Sequence, residues 1–298
     1  MKDHTRGVLL VSTTALMWGG LAIALKFTVA HVAAVNIVWF RFLVAFILLF
    51  AWTAFRRPEL LRPLIRPDFK ALLAGLFLAA NYFAFQKAIE LTTPANAQII
   101  IQIAPLGLAL CGVFLFGESF DRFQKLGFLV AGLGFLVFYQ DQLQQMFAEL
   151  DRYRTGNLFI LVAAFAWIAY AVLNKLLLRS LNGTQINLVI YFVAAVLLSF
   201  IAKPGEMSDL GSGMWVLMVI LACNTLVAYG CLAESFRYIP AYKVSFILIL
   251  NPLITLGLME VIGRLGLPEL RPQALGWDGW LGALMVIGGS VVVTVRKR

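Results

Sequence analysis

The stretch Asp141–Thr155, DQLQQMFAELDRYRT, is a polar interruption near the middle of an otherwise apolar chain. The sequences on its two sides resemble each other. When Gly7–Phe50 is moved forward by 149 positions, Trp18 falls on Trp167 and no gap is needed. A shift of about half the chain indicates an internal duplication.

The same relation extends into the later parts of each half, with slightly different shifts. Lys26 falls on Lys175 at 149 positions, and Pro105 matches Pro252 at 147. Towards the two ends the shift grows to 155, so the second half contains an insertion before its last segment. In a strongly apolar chain, a duplication of this kind is typical of membrane transporters.

The composition predicts an integral membrane protein. The chain is 61% hydrophobic and 13% charged, whereas about 25% of the residues of a typical soluble domain are charged. The Lys and Arg residues stand in short clusters between apolar segments, which argues against a nucleic-acid partner. We predict membrane-spanning segments at Gly7–Leu25, Val35–Phe55, Ala71–Glu90, Pro94–Phe116, Phe123–Tyr139, Gly156–Leu178, Gln185–Ala202, Met214–Arg237, Tyr242–Ile262 and Trp277–Val295.

These segments show no alternation of period two, so the predicted fold class is an all-α integral membrane protein with ten transmembrane helices. Five helices in each copy would make the second copy enter the membrane from the opposite side, which gives two inverted five-helix repeats. We predict a first repeat over residues 1–140, an outer connecting loop over 141–155 and a second repeat over 156–298.

The distribution of basic residues predicts that both termini are cytoplasmic. The count uses 20 of the 24 Lys and Arg residues and leaves out Lys26, Arg41, Lys87 and Lys175. With cytoplasmic termini the outside holds Arg152, Arg154, Lys203, Arg264 and Arg271, and the inside holds the remaining fifteen. This threefold excess satisfies the positive-inside rule.

Polar side chains inside the predicted helices are the candidates for a binding site, because an unpaired polar group is costly in hydrocarbon. Gln98 and Gln102 lie four residues apart on one helical stripe, and Trp167, Tyr170 and Asn174 form another. The predicted substrate-binding residues are Trp18, Asn81, Tyr82, Gln98, Gln102, Trp167, Tyr170, Asn174, Asn224 and Asn251. Hydrogen bonds that only hold helices together are the alternative for each of them.

Two prolines and three charged residues complete the set. Pro105 and Pro252 are predicted to kink their helices and to direct freed carbonyl groups at a lumen. Lys26 and Lys175 either extend towards the membrane surface or form cationic cavity mouths, with Arg41 and Lys87 adding to the outer one. Glu260 is a candidate proton-coupling residue, with an ion pair at a helix end as its alternative.

Small residues predict one close helix contact. The residues are Gly127, Ala131 and Gly134 on the fifth predicted helix, and Gly282, Gly288 and Gly289 on the tenth. We expect packing within the fold. The homodimer interface is the alternative, so both a monomer and a homodimer stay open.

Catalytic and cofactor sites are not expected. The two histidines, His4 and His31, are isolated, and no Asp-rich or His-rich metal motif is present. The chain has no phosphate-binding Gly-Lys-Ser/Thr sequence. We therefore expect a protein that is not an enzyme and uses neither metal nor cofactor.

Three short motifs carry a family resemblance: Trp18-Gly19-Gly20, Ala104-Pro105 and Phe116-Gly117-Glu118. Together with the duplication they resemble the drug/metabolite transporter superfamily, EamA type, over nearly the whole chain. The second copy departs from the pattern, since Trp167-Ile168 has no glycines after it and no Gly-Glu follows Pro252 at the expected distance. These departures bear on the symmetry of the two copies.

The resemblance implies a bacterial inner-membrane exporter that works by alternating access. The chain is similar to exporters of aromatic amino acids, so the expected partners are an amino acid or related metabolite and membrane lipid, with proton coupling through Glu260 as an open question. Export of drugs, nucleosides or sugar conjugates is one alternative. A membrane receptor or scaffold that transports nothing is the other.

Overall fold

The computed structural model describes residues 2–119, 121–148, 150–264 and 276–295, and the regular structure in these ranges is helical. The helices in chain order are α1 Lys2–Val29, α2 Ala34–Arg56, α3 Arg62–Ile65, α4 Phe69–Leu91, α5 Pro94–Ile100, α6 Ile103–Phe116, α7 Arg122–Phe138, α8 Gln140–Ala148, α9 Leu150–Leu177, α10 Gly183–Ser199, α11 Ser212–Ser235, α12 Ala241–Leu248, α13 Asn251–Arg264 and α14 Trp277–Val295. The fold is all-helical, as the sequence predicts.

Eight segments of the described residues are long and apolar enough to cross a membrane. They are Asp3–Val29, Ala34–Arg56, Phe69–Leu91, Asn96–Phe116, Tyr153–Leu177, Ser212–Ser235, Ala241–Gly263 and Trp277–Thr294. Helix α10 is apolar but has 17 residues. Helix α7 also has 17 residues, and its first turn carries Arg122, Gln124 and Lys125. Large apolar side chains such as Phe55, Phe114 and Leu284 are exposed, as expected for a surface that contacts lipid.

Two of the predicted spans are broken helices. Helices α5 and α6 are separated at Ile101 and Gln102, just before Pro105, and α12 and α13 are separated at Ile249 and Leu250. In a continuous helix Pro105 would leave the Ile101 carbonyl without its usual donor. Here the Ala104 N–H donates to that carbonyl at 2.9 Å, and Pro105 lies in the first turn of α6.

The connection between the two halves differs from the prediction. We expected a loop over Asp141–Thr155, but α8 and the first turns of α9 cover this stretch, apart from position 149, which lies outside the described residues. Gln, Leu, Met and Ala are good helix formers. The polarity of the stretch therefore does not prevent it from forming a helix.

The most extensive helix contacts join the first half of the chain to the second. Helix α4 packs on α9, α7 on α14, α1 on α11, α2 on α10, and α6 on α12. Helix α1 also contacts α13, and α9 contacts α6. The two halves therefore interlock, and the space between them is bounded by helices from both.

Helices α7 and α14 are in backbone contact along their small residues. A methyl group built on Gly134 would lie 2.8 Å from the Gly282 carbonyl oxygen, and one built on Gly289 would lie 2.5 Å from the Gly127 carbonyl oxygen. A methyl group on Gly288 would have no atom of the described residues within 4 Å, so Gly288 lies outside the contact. Small residues allow this approach, as they do in other membrane proteins.

We expect Gly134→Ala to lower the free energy of unfolding by about 1–3 kcal/mol, because the added methyl group meets backbone atoms that cannot move independently. The measurement is reversible unfolding of the purified protein in detergent. The matched control is Gly132→Ala, since no described atom lies within 4 Å of that methyl position. Equal stability of the two variants would contradict this account of the contact.

Candidate binding cavity

A cavity with an empty volume of about 730 Å³, including the part that opens to solvent, lies between the two halves of the chain. Most of its lining comes from the first half of the chain, namely from α1, α2, α4, α5, α6 and the break between α5 and α6. The rest comes from α9, α11, α12 and α13. The lining includes eight of the residues predicted from the sequence: Trp18, Asn81, Tyr82, Gln98, Gln102, Pro105, Trp167 and Asn251.

Four aromatic side chains form one wall of the cavity. The Trp18 ring lies 6.2 Å from the Trp167 ring in an edge-on arrangement and 5.1 Å from the Tyr229 ring, and Tyr229 lies 5.5 Å from Tyr82. Trp18 and Trp167 stand 149 positions apart, and Tyr82 and Tyr229 stand 147 apart. Two pairs of equivalent positions in the duplicated sequence therefore meet in the wall of the cavity.

Side-chain amides line the cavity from the first half of the chain. Asn81 Nδ2 donates to the Ala163 carbonyl at 2.8 Å, and Gln102 Nε2 donates to the Gln98 carbonyl at 3.1 Å. The Oε1 atoms of Gln86, Gln98 and Gln102 are buried and have no hydrogen-bond donor within the described residues. The residues that line the cavity thus include amide oxygens without a donor, and a bound molecule can supply the missing hydrogen bonds.

Arg41 is the charged residue among those that line the cavity. We expected it near the outer mouth, but its side chain is 2% exposed and lies within the cavity wall. Its Nε donates to Thr225 Oγ1 at 3.0 Å, and its guanidinium carbon lies 4.5 Å from the centre of the Tyr82 ring. The site therefore combines a buried cation with aromatic faces and amides.

Four polar or aromatic lining residues were absent from the predicted substrate-binding set: Arg41, Phe85, Gln86 and Tyr229. Three of them carried a signal in the sequence. The shift of 147 positions that matches Pro105 with Pro252 also matches Tyr82 with Tyr229, and Gln86 lies four residues after Tyr82 on the same helical stripe. For Arg41 the signal was a single guanidinium within an apolar helix.

Tyr170 and Asn174 do not line the cavity. Both are fully buried, and Asn174 Nδ2 donates to the Tyr170 hydroxyl at 2.8 Å. The Tyr170 ring packs 5.6 Å from Tyr229, on the far side of the aromatic wall. Trp167, on the same helical stripe, does line the cavity, but Asn174 lies roughly 10 Å further along α9, beyond it.

Asn224 and Pro252 also lie outside the lining. Asn224 Nδ2 donates to the Met17 carbonyl at 2.9 Å, so it joins α11 to α1. Pro252 is the second residue of α13, where its missing N–H costs no helical hydrogen bond. For Asn224 the structure favours the alternative to a binding role, a hydrogen bond between helices.

The lysines predicted at cavity mouths bind groups of the protein itself. Lys26 Nζ donates to the carbonyls of Ile89 and Thr92, each at 3.0 Å, at the end of α4. These carbonyls lack intrahelical partners, and a cation is favourable there. Glu260 lies on α13, nine residues after Asn251 and outside the cavity lining.

Lys175 forms an ion pair with Glu118 and lies 4.3 Å from the centre of the Phe116 ring. Glu118 also accepts hydrogen bonds from the backbone N–H groups of Ala241 at 2.9 Å and Tyr242 at 3.1 Å, at the start of α12. The left-handed turn at Gly117, with φ 64°, ends α6 and returns Glu118 towards these partners. One carboxylate therefore joins α6, α9 and α12.

We expect Glu118→Ala to lower the free energy of unfolding by about 2–4 kcal/mol, because Lys175 and the first N–H groups of α12 lose their shared partner. Thermal unfolding in lipid nanodiscs measures this. The control is Glu90→Ala, which removes the ion-pair partner of Lys87. This pair is more exposed than the pair of Glu118 and Lys175, so its loss should cost less than about 1 kcal/mol. A similar loss in both variants would contradict the special role of Glu118.

A model of the EamA-like transporter family matches this chain twice, over residues 5–140 and 154–295. An uncharacterized inner membrane transporter of Escherichia coli strain K12, YhbE, is 34% identical over 299 residues, which cover 98% of this chain and 92% of that protein. An uncharacterized transporter of Haemophilus influenzae is 30% identical over 288 residues, which cover 96% of this chain and 93% of that one.

A solved crystal structure has the same fold. It superposes with a TM-score of 0.76 over 98% of both chains, at 19% sequence identity. At this identity the likeness concerns the path of the chain and carries no information on what is bound.

Proposed function

This chain belongs to the EamA-like transporter family, and from that membership we propose that it exports amino acids, aromatic ones above all, or related small metabolites. The proposed location is the bacterial inner membrane, with both termini cytoplasmic and transport by alternating access. The observation that carries the proposal is the cavity between the two halves, which joins an aromatic wall to amide groups. The similarity to an inner membrane transporter of Escherichia coli supports the location.

The chemistry of the cavity supports a small amphipathic substrate. Its lining is mostly apolar and aromatic with a few polar groups, as is usual for small-molecule sites. Trp18 and Trp167 offer aromatic faces on which a ring can stack. Gln98 and Gln102 can accept hydrogen bonds from polar groups of a substrate, since their Oε1 atoms have no donor within the described part of the chain.

Equivalent contacts in the two halves support a duplicated architecture, for which we propose two inverted five-helix repeats that move against each other. Thr14 on α1 donates to the Ala228 carbonyl on α11 at 2.9 Å, and Asn81 on α4 donates to the Ala163 carbonyl on α9 at 2.8 Å. Position 163 follows 14 by 149 residues, and position 228 follows 81 by 147. These are the shifts of the duplication, so the two contacts are related as a pseudo-two-fold axis would relate them.

The direct test is counterflow of labelled amino acids into liposomes that contain the purified chain. The panel runs from tryptophan and phenylalanine to threonine and alanine. We expect saturable exchange, fastest with the aromatic substrates, because their rings can stack on the aromatic wall. Absence of exchange across the whole panel would contradict the proposal and would direct attention to drugs, nucleosides and sugar conjugates, or to a receptor.

The same liposomes with a pH gradient address energy coupling. We propose that transport is coupled to protons through Glu260, because Glu260 is an acidic residue within a membrane helix. A rate that rises with the gradient in the wild type, but not in Glu260→Gln, supports it. An unchanged response in the variant assigns the coupling elsewhere.

Two substitutions in the lining should reduce the exchange rate at least tenfold while leaving the protein folded. Trp167→Ala removes an aromatic face, and Gln102→Ala removes an amide oxygen at the cavity wall. The matched controls are Trp52→Ala and Gln144→Ala, which alter exposed side chains on α2 and α8. Wild-type rates in both lining variants would remove these residues from the site.

A further inference from the structure

We infer that Arg41 is the group that binds the substrate through a carboxylate, so that the cavity selects molecules that carry one. This inference rests on the proposed function and names the chemical group that the cavity recognises. Neither the family model nor the names of the relatives assign a role to this residue.

The Arg41 guanidinium is held in place on two sides. Its Nε donates to Thr225 Oγ1 at 3.0 Å, and Thr225 Oγ1 in turn donates to the Leu221 carbonyl at 3.1 Å, which fixes the acceptor. The Tyr82 ring covers one face at 4.5 Å. The residue is 2% exposed, and Nη2 has no hydrogen-bond partner within the described residues. Arg41 belongs to the cavity lining, so a ligand bound there can supply the partner that Nη2 lacks.

The positive charge of Arg41 has no acidic partner among the described residues that line the cavity, since the lining contains no Asp or Glu. The ion pairs of Lys87, Lys175, Lys203 and Arg237 do not involve Arg41. A guanidinium stays protonated in proteins, and a buried charge without a counter-charge is destabilising. The Tyr82 ring offsets part of this cost, and an anionic substrate would offset the rest.

The charge balance favours a carboxylate over a phosphate. Both fit the planar donor edge of a guanidinium. A phosphate monoester carries a charge of about −1.5 to −2 near neutral pH. Arg41 alone would not neutralise this charge, and the rest of the cavity lining is neutral. A carboxylate carries one negative charge, which Arg41 neutralises.

The amide oxygens suit the other end of an amino acid. The Oε1 atoms of Gln86, Gln98 and Gln102 are buried without a donor from the described residues, and all three side chains line the same cavity. They can accept hydrogen bonds from an ammonium group and add no negative charge. A zwitterion bound between Arg41 and these amides places its carboxylate against the cation and its ammonium group against neutral acceptors.

A purely structural role is the competing explanation, since the bond to Thr225 joins α2 to α11. In that case Arg41 would affect folding, but it would not distinguish ligands by their carboxylate. The decisive comparison therefore uses ligands that differ in this one group.

The experiment measures binding to the purified protein by calorimetry, and counterflow in liposomes, with tryptophan, tryptophanamide and indole-3-propionate. Tryptophanamide lacks the carboxylate, and indole-3-propionate lacks the ammonium group. The proteins are the wild type, Arg41→Gln, Arg41→Lys and the control Arg66→Gln, which removes an exposed guanidinium. Size-exclusion profiles and melting temperatures establish that each variant is folded.

We expect the wild type and Arg66→Gln to bind tryptophan at least tenfold more tightly than tryptophanamide. Arg41→Gln should lose this preference, and Arg41→Lys should keep part of it, because an ammonium retains the charge without the planar donor edge. Indole-3-propionate should bind the wild type and lose affinity in Arg41→Gln.

Two results would overturn the inference while leaving the proposed function intact: wild-type exchange of tryptophanamide within twofold of tryptophan, or a folded Arg41→Gln variant that keeps the tenfold preference. If Arg41→Gln does not fold, the wild-type ligand series and Arg41→Lys still decide. Failure of the wild type to bind or exchange any of the three ligands would overturn both the inference and the proposed function.

Discussion

Hydrocarbon offers no hydrogen-bond partner, so a polar group within the membrane needs a partner in the protein or a place beside a cavity. The backbone meets this constraint by forming helices. Side chains meet it by bonding to carbonyls of neighbouring helices, as Thr14 does with Ala228, Asn224 with Met17 and Thr255 with Gly19. These bonds all join the two halves of the chain, so the same constraint that forms the helices also ties the halves together.

Several polar groups that remain without such partners lie around one cavity. The breaks before Pro105 and Pro252 contribute to this arrangement, because each replaces a continuous helix by two shorter ones beside the cavity. Gln102 lies at the first break, and Asn251 lies just after the second. Irregular backbone is tolerated at membrane depth where it borders a cavity, and here the breaks place amide side chains in its wall.

The four-residue aromatic wall of the cavity is symmetric, but the charge of the cavity is not. Trp18 and Trp167 occupy equivalent positions, as do Tyr82 and Tyr229. Arg41 has no such counterpart, since the residue 149 positions later is the buried Ile190. A duplicated scaffold can therefore present the same ring-stacking surface from both halves, while one half alone supplies the charged group.

The sequence by itself determined the helical membrane fold, the duplication and eight of the residues that line the cavity, because apolar runs, equal spacings and polar side chains in hydrocarbon follow local rules. It did not determine that Tyr170 and Asn174 would bond to each other behind the aromatic wall, or that Lys175 would bind Glu118. Spacing assigns a residue to a stripe of its helix, but only packing decides where along that stripe the cavity begins and ends. The burial of Arg41 was also a tertiary outcome, since Thr225 and Tyr82, which hold its guanidinium, come from two other helices distant in the chain.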